Sequence, residues 1–125
     1  MKKQISTDAV VAAPRILSQA IDTGSLVFVS GQIHQGPGGK VIDGSVEVKL
    51  QWVMKNIAGI LEAAGLTLDD VVKATVYVTD MQMMYDFNKF YPTYFTAPYP
   101  AREAVCVKEL PLGASLEISV IASRG

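Results

Sequence analysis

Apolar residues in this chain follow two periods. Leu50, Val53, Met54, Ile57, Ile60, Leu61 and Ala64 recur at three and four residues, the spacing of one helix face. Ser45 is placed as the N-cap of that helix and Gly65 to end it. Val72, Ala74, Val76 and Val78 alternate with Lys73, Thr75, Tyr77 and Thr79, a period of two that predicts a strand with one apolar face. Upstream, Leu26-Val27-Phe28-Val29-Ser30 is a short β-branched run between Asp22-Thr23-Gly24 and Gly31 and reads as a buried strand.

Between these runs, Gly36-Pro37-Gly38-Gly39 is a turn, because it lacks the Lys-Ser/Thr and following helix of a phosphate loop. Asp80 is placed to cap a second helix carrying Met84, Phe87, Tyr91 and Tyr94, with Pro92 expected to kink or restart it. Met81, Met83 and Met84 read as packing residues of that helix. Trp52 falls off the first helix's apolar stripe together with Lys55 and Asn56, which predicts partly exposed packing. The order of elements is ββαβαββ, an α+β chain with two helices on one face of a mixed sheet.

The last quarter of the chain breaks its own pattern. Arg102 and Glu117 are set into strand-like apolar sequence, where a charge is costly to bury unless it is paired or used. Leu110 to Ala114 reads as a five-residue hairpin turn, which places Glu109 opposite Ser115, Val107 opposite Glu117 and Arg102 opposite Ala122. In that register Arg102 and Glu117 of one chain stand ~17 Å apart along the ladder and cannot form a simple ion pair. Both reach one small ligand if Arg102 of one subunit meets Glu117 of a neighbour. On the last strand, Glu117, Ser119, Ile121 and Ser123 share one side, the expected face for subunit contact and ligand clefts.

Composition narrows the function classes. A chain of 125 residues, half of them apolar, is expected to form a single domain over residues 1–125 with a sizeable core. One cysteine, Cys106, and one histidine, His34, allow no intrachain disulfide and no conventional zinc site. Cys106 reads as a small buried apolar residue, and His34 as a surface or loop histidine, with a proton shuttle at a pocket rim as the alternative. Eleven basic and twelve acidic residues are dispersed, without the clustered cations that nucleic acid binding needs. Polar residues Gln4, Ser6, Thr7 and Asp8 interrupt the start of the chain and no run approaches ~18 apolar residues, so a soluble cytoplasmic protein away from membranes is expected. Positive mean hydropathy in such a chain is compatible with apolar surface buried between subunits.

Taken together, Ser30-Gly31-Gln32-Ile33, Leu61-Glu62-Ala63-Ala64-Gly65-Leu66, Asp70-Val71-Val72-Lys73, Phe87-Asn88, Pro100-Ala101-Arg102, Glu117-Ile118 and Ile121-Ala122 resemble, in order and spacing, the Rid family. These are the YjgF-type reactive-intermediate deaminases once grouped as endoribonuclease L-PSP. The resemblance covers nearly the whole chain. It implies a chorismate-mutase-like fold and a homotrimer whose sheets form an inner barrel with three intersubunit clefts. It also implies hydrolysis of enamine and imine acids such as 2-aminoacrylate to 2-keto acids and ammonia, without metal or organic cofactor.

Within that resemblance, Arg102 is the clamp for a substrate carboxylate and Glu117 the group that orients water and relays its proton. Ser30, Gly31 and Asn88 match positions lining the cleft. The chain departs from the family at Leu17, where deaminating members usually carry tyrosine, and at Ala104, where a cysteine is common. Cys106 shares side-chain parity with Arg102 and Ala104 but lies ~14 Å from Arg102, too far to replace that thiol. His34 stands where proline is frequent. Beside the deaminase reading stand a non-catalytic protein that binds or senses small carboxylates, kept open by Leu17, and a ribonuclease or translation inhibitor, disfavoured by the dispersed charge.

Overall fold

The computed structural model describes residues 2–125. Six strands form one sheet: β1 (Lys3–Ile5), β2 (Ala20–Asp22), β3 (Leu26–Ile33), β4 (Val71–Val78), β5 (Ala101–Cys106) and β6 (Leu116–Ser123). Their spatial order is β1-β2-β3-β6-β4-β5, antiparallel throughout except for the parallel β4–β5 pair. Helices α1 (Val46–Ala63) and α2 (Met83–Phe90) lie on one face, as the sequence periods predict. Three strands precede α1, where the sequence reading had two; β1 and β2 are only three residues each, too short for a period of two to stand out.

The helix boundaries follow their capping residues. Ser45 Oγ accepts the Val48 N–H at 3.2 Å, and Gly65, at φ 77°, lets the N–H of Leu66 return to the Leu61 carbonyl at 2.9 Å. Asp80 caps the turn that leads into α2 by accepting the Gln82 N–H at 2.9 Å. The helix ends at Phe90 and restarts as a 3-10 turn over Tyr91–Tyr94, where Pro92 has no N–H to continue the ladder. The α1 stripe, from Leu50 to Leu61, is buried against Val27, Val76, Val78, Leu116, Ile118 and Ala122 of the sheet. Val71 rather than Val72 takes the buried position at the start of β4, because a register shift between Val71 and Lys73 reverses the alternation there. Asn56, off the stripe, is also buried, and its amide donates to the carbonyls of Ile33 and Gln35.

The expected hairpin is absent. Between β5 and β6 runs β4, which pairs Arg102 with Ala74 on one side and Ala74 with Val120 on the other. The cause lies upstream: α2 carries the chain from the end of β4 back to its beginning, so β5 enters parallel to β4 as the second strand of a β-α-β unit. Residues 107–115 then cross to the far side of β4, with a 3-10 turn at Pro111–Gly113, and β6 enters antiparallel to β4 and β3.

His34 is a second correction. It is 2% exposed, with Nδ1 at 2.7 Å from the Ile42 carbonyl and Nε2 accepting the Ser115 N–H at 3.0 Å. Those partners require a neutral ring protonated on Nδ1, and desolvation holds its pKa below the ordinary histidine value. The loop position just past β3 holds, but neither surface exposure nor a pocket-rim shuttle survives; the ring joins the end of β3 to the entry of β6. Among the described residues no helix is long and apolar enough to cross a membrane.

Candidate functional site

Residues of β6 alternate cleanly: Leu116, Ile118, Val120 and Ala122 are buried under the helices, and Glu117, Ser119, Ile121 and Ser123 are half-buried on the helix-free face. Glu117 pairs with Ile33 of β3 and Tyr77 of β4. One residue earlier on β3 the ladder shifts register between Val29 and Gln32, so Ser30 and Gly31 form a bulge beside Ser119 and Glu117. Gly31 is needed there for contact: a Cβ at that position would strike Glu117 Oε2. The Glu117 carboxylate thus lies directly against the Gly31 backbone. Among the described residues it has no ion-pair partner, and burial raises its pKa above the ordinary carboxylate value. A partly desolvated carboxylate without a cation is suited to accepting a proton.

Ser30 is tied into the same bulge. Its hydroxyl donates to the Ser18 carbonyl at 2.7 Å and its N–H to the Gln19 carbonyl at 2.9 Å, which leaves the Oγ lone pairs as its remaining polar capacity. The 13–18 loop is thereby fixed against β3, and Leu17 and Ser30 border one shallow depression of about 440 Å³. Leu17 is half-exposed there, so the position opposite the bulge carries an apolar side chain with no hydroxyl.

Arg102 sits on the other face. Its partner Ala74 is fully buried beneath the helices, and the guanidinium carbon lies 4.9 Å from the Tyr91 ring centroid and 5.6 Å from that of Phe87. The adjacent carboxylate, Glu103, points to the opposite side of β5 and is taken by Lys73 at 3.0 Å. The exposed Arg102 fork therefore has aromatic rings on one side and, among the described residues, no carboxylate on it. Counted through the ladder, Arg102 and Glu117 are two strands and three residues apart, roughly 14 Å, and on opposite faces. This replaces the ~17 Å hairpin estimate, and the conclusion hardens: one chain cannot turn both groups on one small ligand.

Asn88 is exposed on α2, one residue beyond Phe87 and so on the helical turn that bears the ring under Arg102. Ala104 pairs with Val76 and packs against the core on the Arg102 side of β5. Cys106 does share that parity, but it is exposed rather than buried, because β5 is an edge strand and no helix covers its end. The structure thus groups Ser30, Gly31, Glu117 and Leu17 around the β3 bulge, and Arg102, Ala104 and Asn88 around β5 and α2. The sequence reading missed the partnership of Arg102 with Phe87 and Tyr91. Those rings were placed on the helix stripe, but their meeting with Arg102 depends on β5 running parallel to β4.

The family model described as endoribonuclease L-PSP matches residues 7–124. The chain is 39% identical over 126 residues to the 2-iminobutanoate/2-iminopropanoate deaminase of Rattus norvegicus, covering 100% of this chain and 92% of that one. It is 38% identical over 118 residues to the mitochondrial protein MMF1 of Saccharomyces cerevisiae, covering 94% and 81%. The crystal structure of yeast Mmf1 superposes with a TM-score of 0.95 at 36% identity over 100% of both chains. That of E. coli TdcF with bound serine superposes with a TM-score of 0.85 at 35% identity, over 98% of this chain and 99% of that chain. A mitochondrial relative means that kinship alone assigns no compartment. With sequence and fold both matched almost end to end, the protein belongs to the endoribonuclease L-PSP family, the Rid or YjgF-type proteins that its site residues resemble.

Proposed function

We propose that this protein hydrolyses 2-imino acids, and the 2-enamino acids that tautomerise to them, to 2-keto acids and ammonia, in clefts between the subunits of a cytoplasmic homotrimer. The observation that carries the reading is the placement, on opposite faces of one sheet, of a guanidinium and a carboxylate that have no ion-pair partner among the described residues. A second copy is needed to bring the Arg102 of one subunit to the Glu117 of another. The helix-free face supplies surface for such packing, with Phe28 and Val105 each about two-fifths exposed on it. Kinship with a protein named as a 2-iminobutanoate/2-iminopropanoate deaminase supports the reaction class.

The chemistry follows from the two groups. Arg102 takes the substrate carboxylate through two parallel N–H donors, which fixes the adjacent imine carbon. Glu117 accepts a proton from water as the water oxygen bonds to that carbon, the C=N pair moves onto nitrogen, and Glu117 hands its proton to that nitrogen to complete the carbinolamine. In the collapse Glu117 accepts the hydroxyl proton as the C=O forms and passes it to the nitrogen as the C–N bond breaks, so ammonia leaves and the carboxylate is restored. Ser30 Oγ and the Gly31 backbone line the cleft beside the water, Asn88 and Ala104 flank the carboxylate end, and Leu17 closes the wall with an apolar surface. No metal or organic cofactor takes part in this scheme.

The test generates 2-aminoacrylate in situ with a serine dehydratase and follows pyruvate and ammonia with and without the protein. Acceleration above buffer, lost in Arg102→Ala, is the expected result, and Leu17→Tyr should raise the rate if a hydroxyl at that wall helps to place the ligand. Binding of 2-ketobutyrate through Arg102 without any acceleration would replace the enzyme by a keto-acid-binding protein, a reading that Leu17 favours. A ribonuclease mechanism finds no support at the chain's one histidine, because both nitrogens of His34 are committed to backbone partners.

A further inference from the structure

We propose that Phe87 and Tyr91 are an aromatic rest that sets the plane of the Arg102 guanidinium for the ligand carboxylate, with Tyr91 as a positioning residue that acts through its ring. The inference rests on the reading of Arg102 as the clamp and adds what makes that clamp rigid. A free arginine on an edge strand would sample many rotamers and lose that freedom on binding. Here the guanidinium lies at cation–π distance from two rings, 4.9 and 5.6 Å from their centroids.

The rest is itself packed into the core. Phe87 is fully buried and Tyr91 is 5% exposed; their rings stack at 5.2 Å, and Phe95 braces Tyr91 from another side at 5.0 Å. Ala74 and Ala104, the small neighbours of Arg102 on the same face, leave room for its stem to lie over the rings. Rings on one side leave the edge of the fork, where two N–H groups run parallel, open to a carboxylate.

The Tyr91 hydroxyl distinguishes ring from phenol. Its oxygen is buried and, among the described residues, has no hydrogen-bond partner, an arrangement that costs the fold. Buried in this way, the hydroxyl is not offered to a ligand, so the useful part of the residue is the π face. Removing the hydroxyl should therefore leave ligand affinity intact, and removing the ring should not.

The experiment titrates 2-ketobutyrate calorimetrically into wild type, Tyr91→Phe, Tyr91→Leu and Arg102→Ala, with melting curves for each. Tyr91→Phe should bind within about two-fold of wild type and melt no lower. Tyr91→Leu should weaken binding about ten-fold, and raise KM for the imine more than it lowers kcat, as expected for lost uniform binding. If Tyr91→Leu does not fold, Tyr91→Met fills more of the volume without a π face and takes its place. Wild-type affinity in the ring-deleted variant, or equal loss in Tyr91→Phe, overturns the aromatic rest alone. Failure of wild type to bind, or unchanged binding by Arg102→Ala, overturns the clamp and the rest together.

Discussion

Gly31 and the carboxylate of Glu117 are in such close contact that a Cβ at position 31 would stand 2.9 Å from the Glu117 carboxyl carbon, closer than real Cβ atoms come. The backbone of Gly31 is not in the left-handed region, so the cost of a side chain there is crowding and not conformational strain. Gly31→Ala should push the carboxylate away from the bulge, lowering turnover about 10- to 100-fold, the range that misplacing a reacting group costs. Affinity for 2-ketobutyrate should stay close to wild type, since the Arg102 of a neighbouring subunit supplies the carboxylate contact in that cleft. Steady-state rates beside a calorimetric Kd separate the two effects.

Glu117→Gln isolates the proton chemistry. The amide keeps the shape and cannot take a proton, so imine hydrolysis should fall by about 100-fold or more while keto-acid affinity stays within a few-fold. In wild type, activity should rise with pH through a value above the ordinary 4.5, because burial favours the protonated carboxyl. Stability has the opposite sign: between 4.5 and the raised value the folded state holds more protons than the unfolded one, so stability falls as pH rises. Glu117→Gln should therefore melt higher than wild type at neutral pH and lose that advantage in acid, which a series of melting curves reads directly.

Local patterns in the sequence were enough for much of this fold. The α1 stripe, its Ser45 and Gly65 ends and the break at Pro92 follow from periodicity and backbone chemistry that act within a few residues. Arg102 and Glu117 stood out because charge in strand-like sequence is costly. What stayed hidden was non-local. The turn at Leu110–Ala114 suggested a hairpin, although the α2 crossover already required β5 to run parallel to β4, and a strand so placed leaves its neighbour free to pair with a third. That exchange of partners put Arg102 over Phe87 and Tyr91, on the face opposite Glu117. His34 was equally obscure, since a lone histidine beside a Gly-rich turn gives no sign that its partners are the carbonyl at Ile42 and an N–H at Ser115, 81 positions away.

His34 should govern acid stability. Its folded pKa lies below 6.5, so on acidification the unfolded chain takes up the proton first. Stability is then complete above about pH 6.5 and is lost as pH falls from there through the folded value. Lys49 opposes the ring's protonation and Asp43 favours it, and these two charges approach one another at 3.7 Å. His34→Ala removes the titration and leaves the Ser115 N–H and the Ile42 carbonyl unpaired, a loss of about 2–4 kcal/mol at neutral pH. Urea melts between pH 5 and 8 should show a shallower pH slope in that variant; an unchanged slope would assign the acid sensitivity to another group.

The placement of Arg102 and Glu117 on opposite faces makes a prediction that neither single variant tests. Arg102→Ala and Glu117→Gln should each be inactive alone, and each should sediment as a trimer. If every cleft takes its arginine from one subunit and its carboxylate from the next, a co-refolded equal mixture contains clefts that draw Arg102 from a Glu117→Gln chain and Glu117 from an Arg102→Ala chain. Random assembly makes about one quarter of all clefts intact in this way. The mixture should then regain about a quarter of wild-type activity, rising from near zero as subunits exchange. A mixture that stays inactive while native mass spectrometry reports mixed trimers would mean that both groups act within one chain, and the ladder that separates them by two strands and three residues would have to rearrange for that to occur.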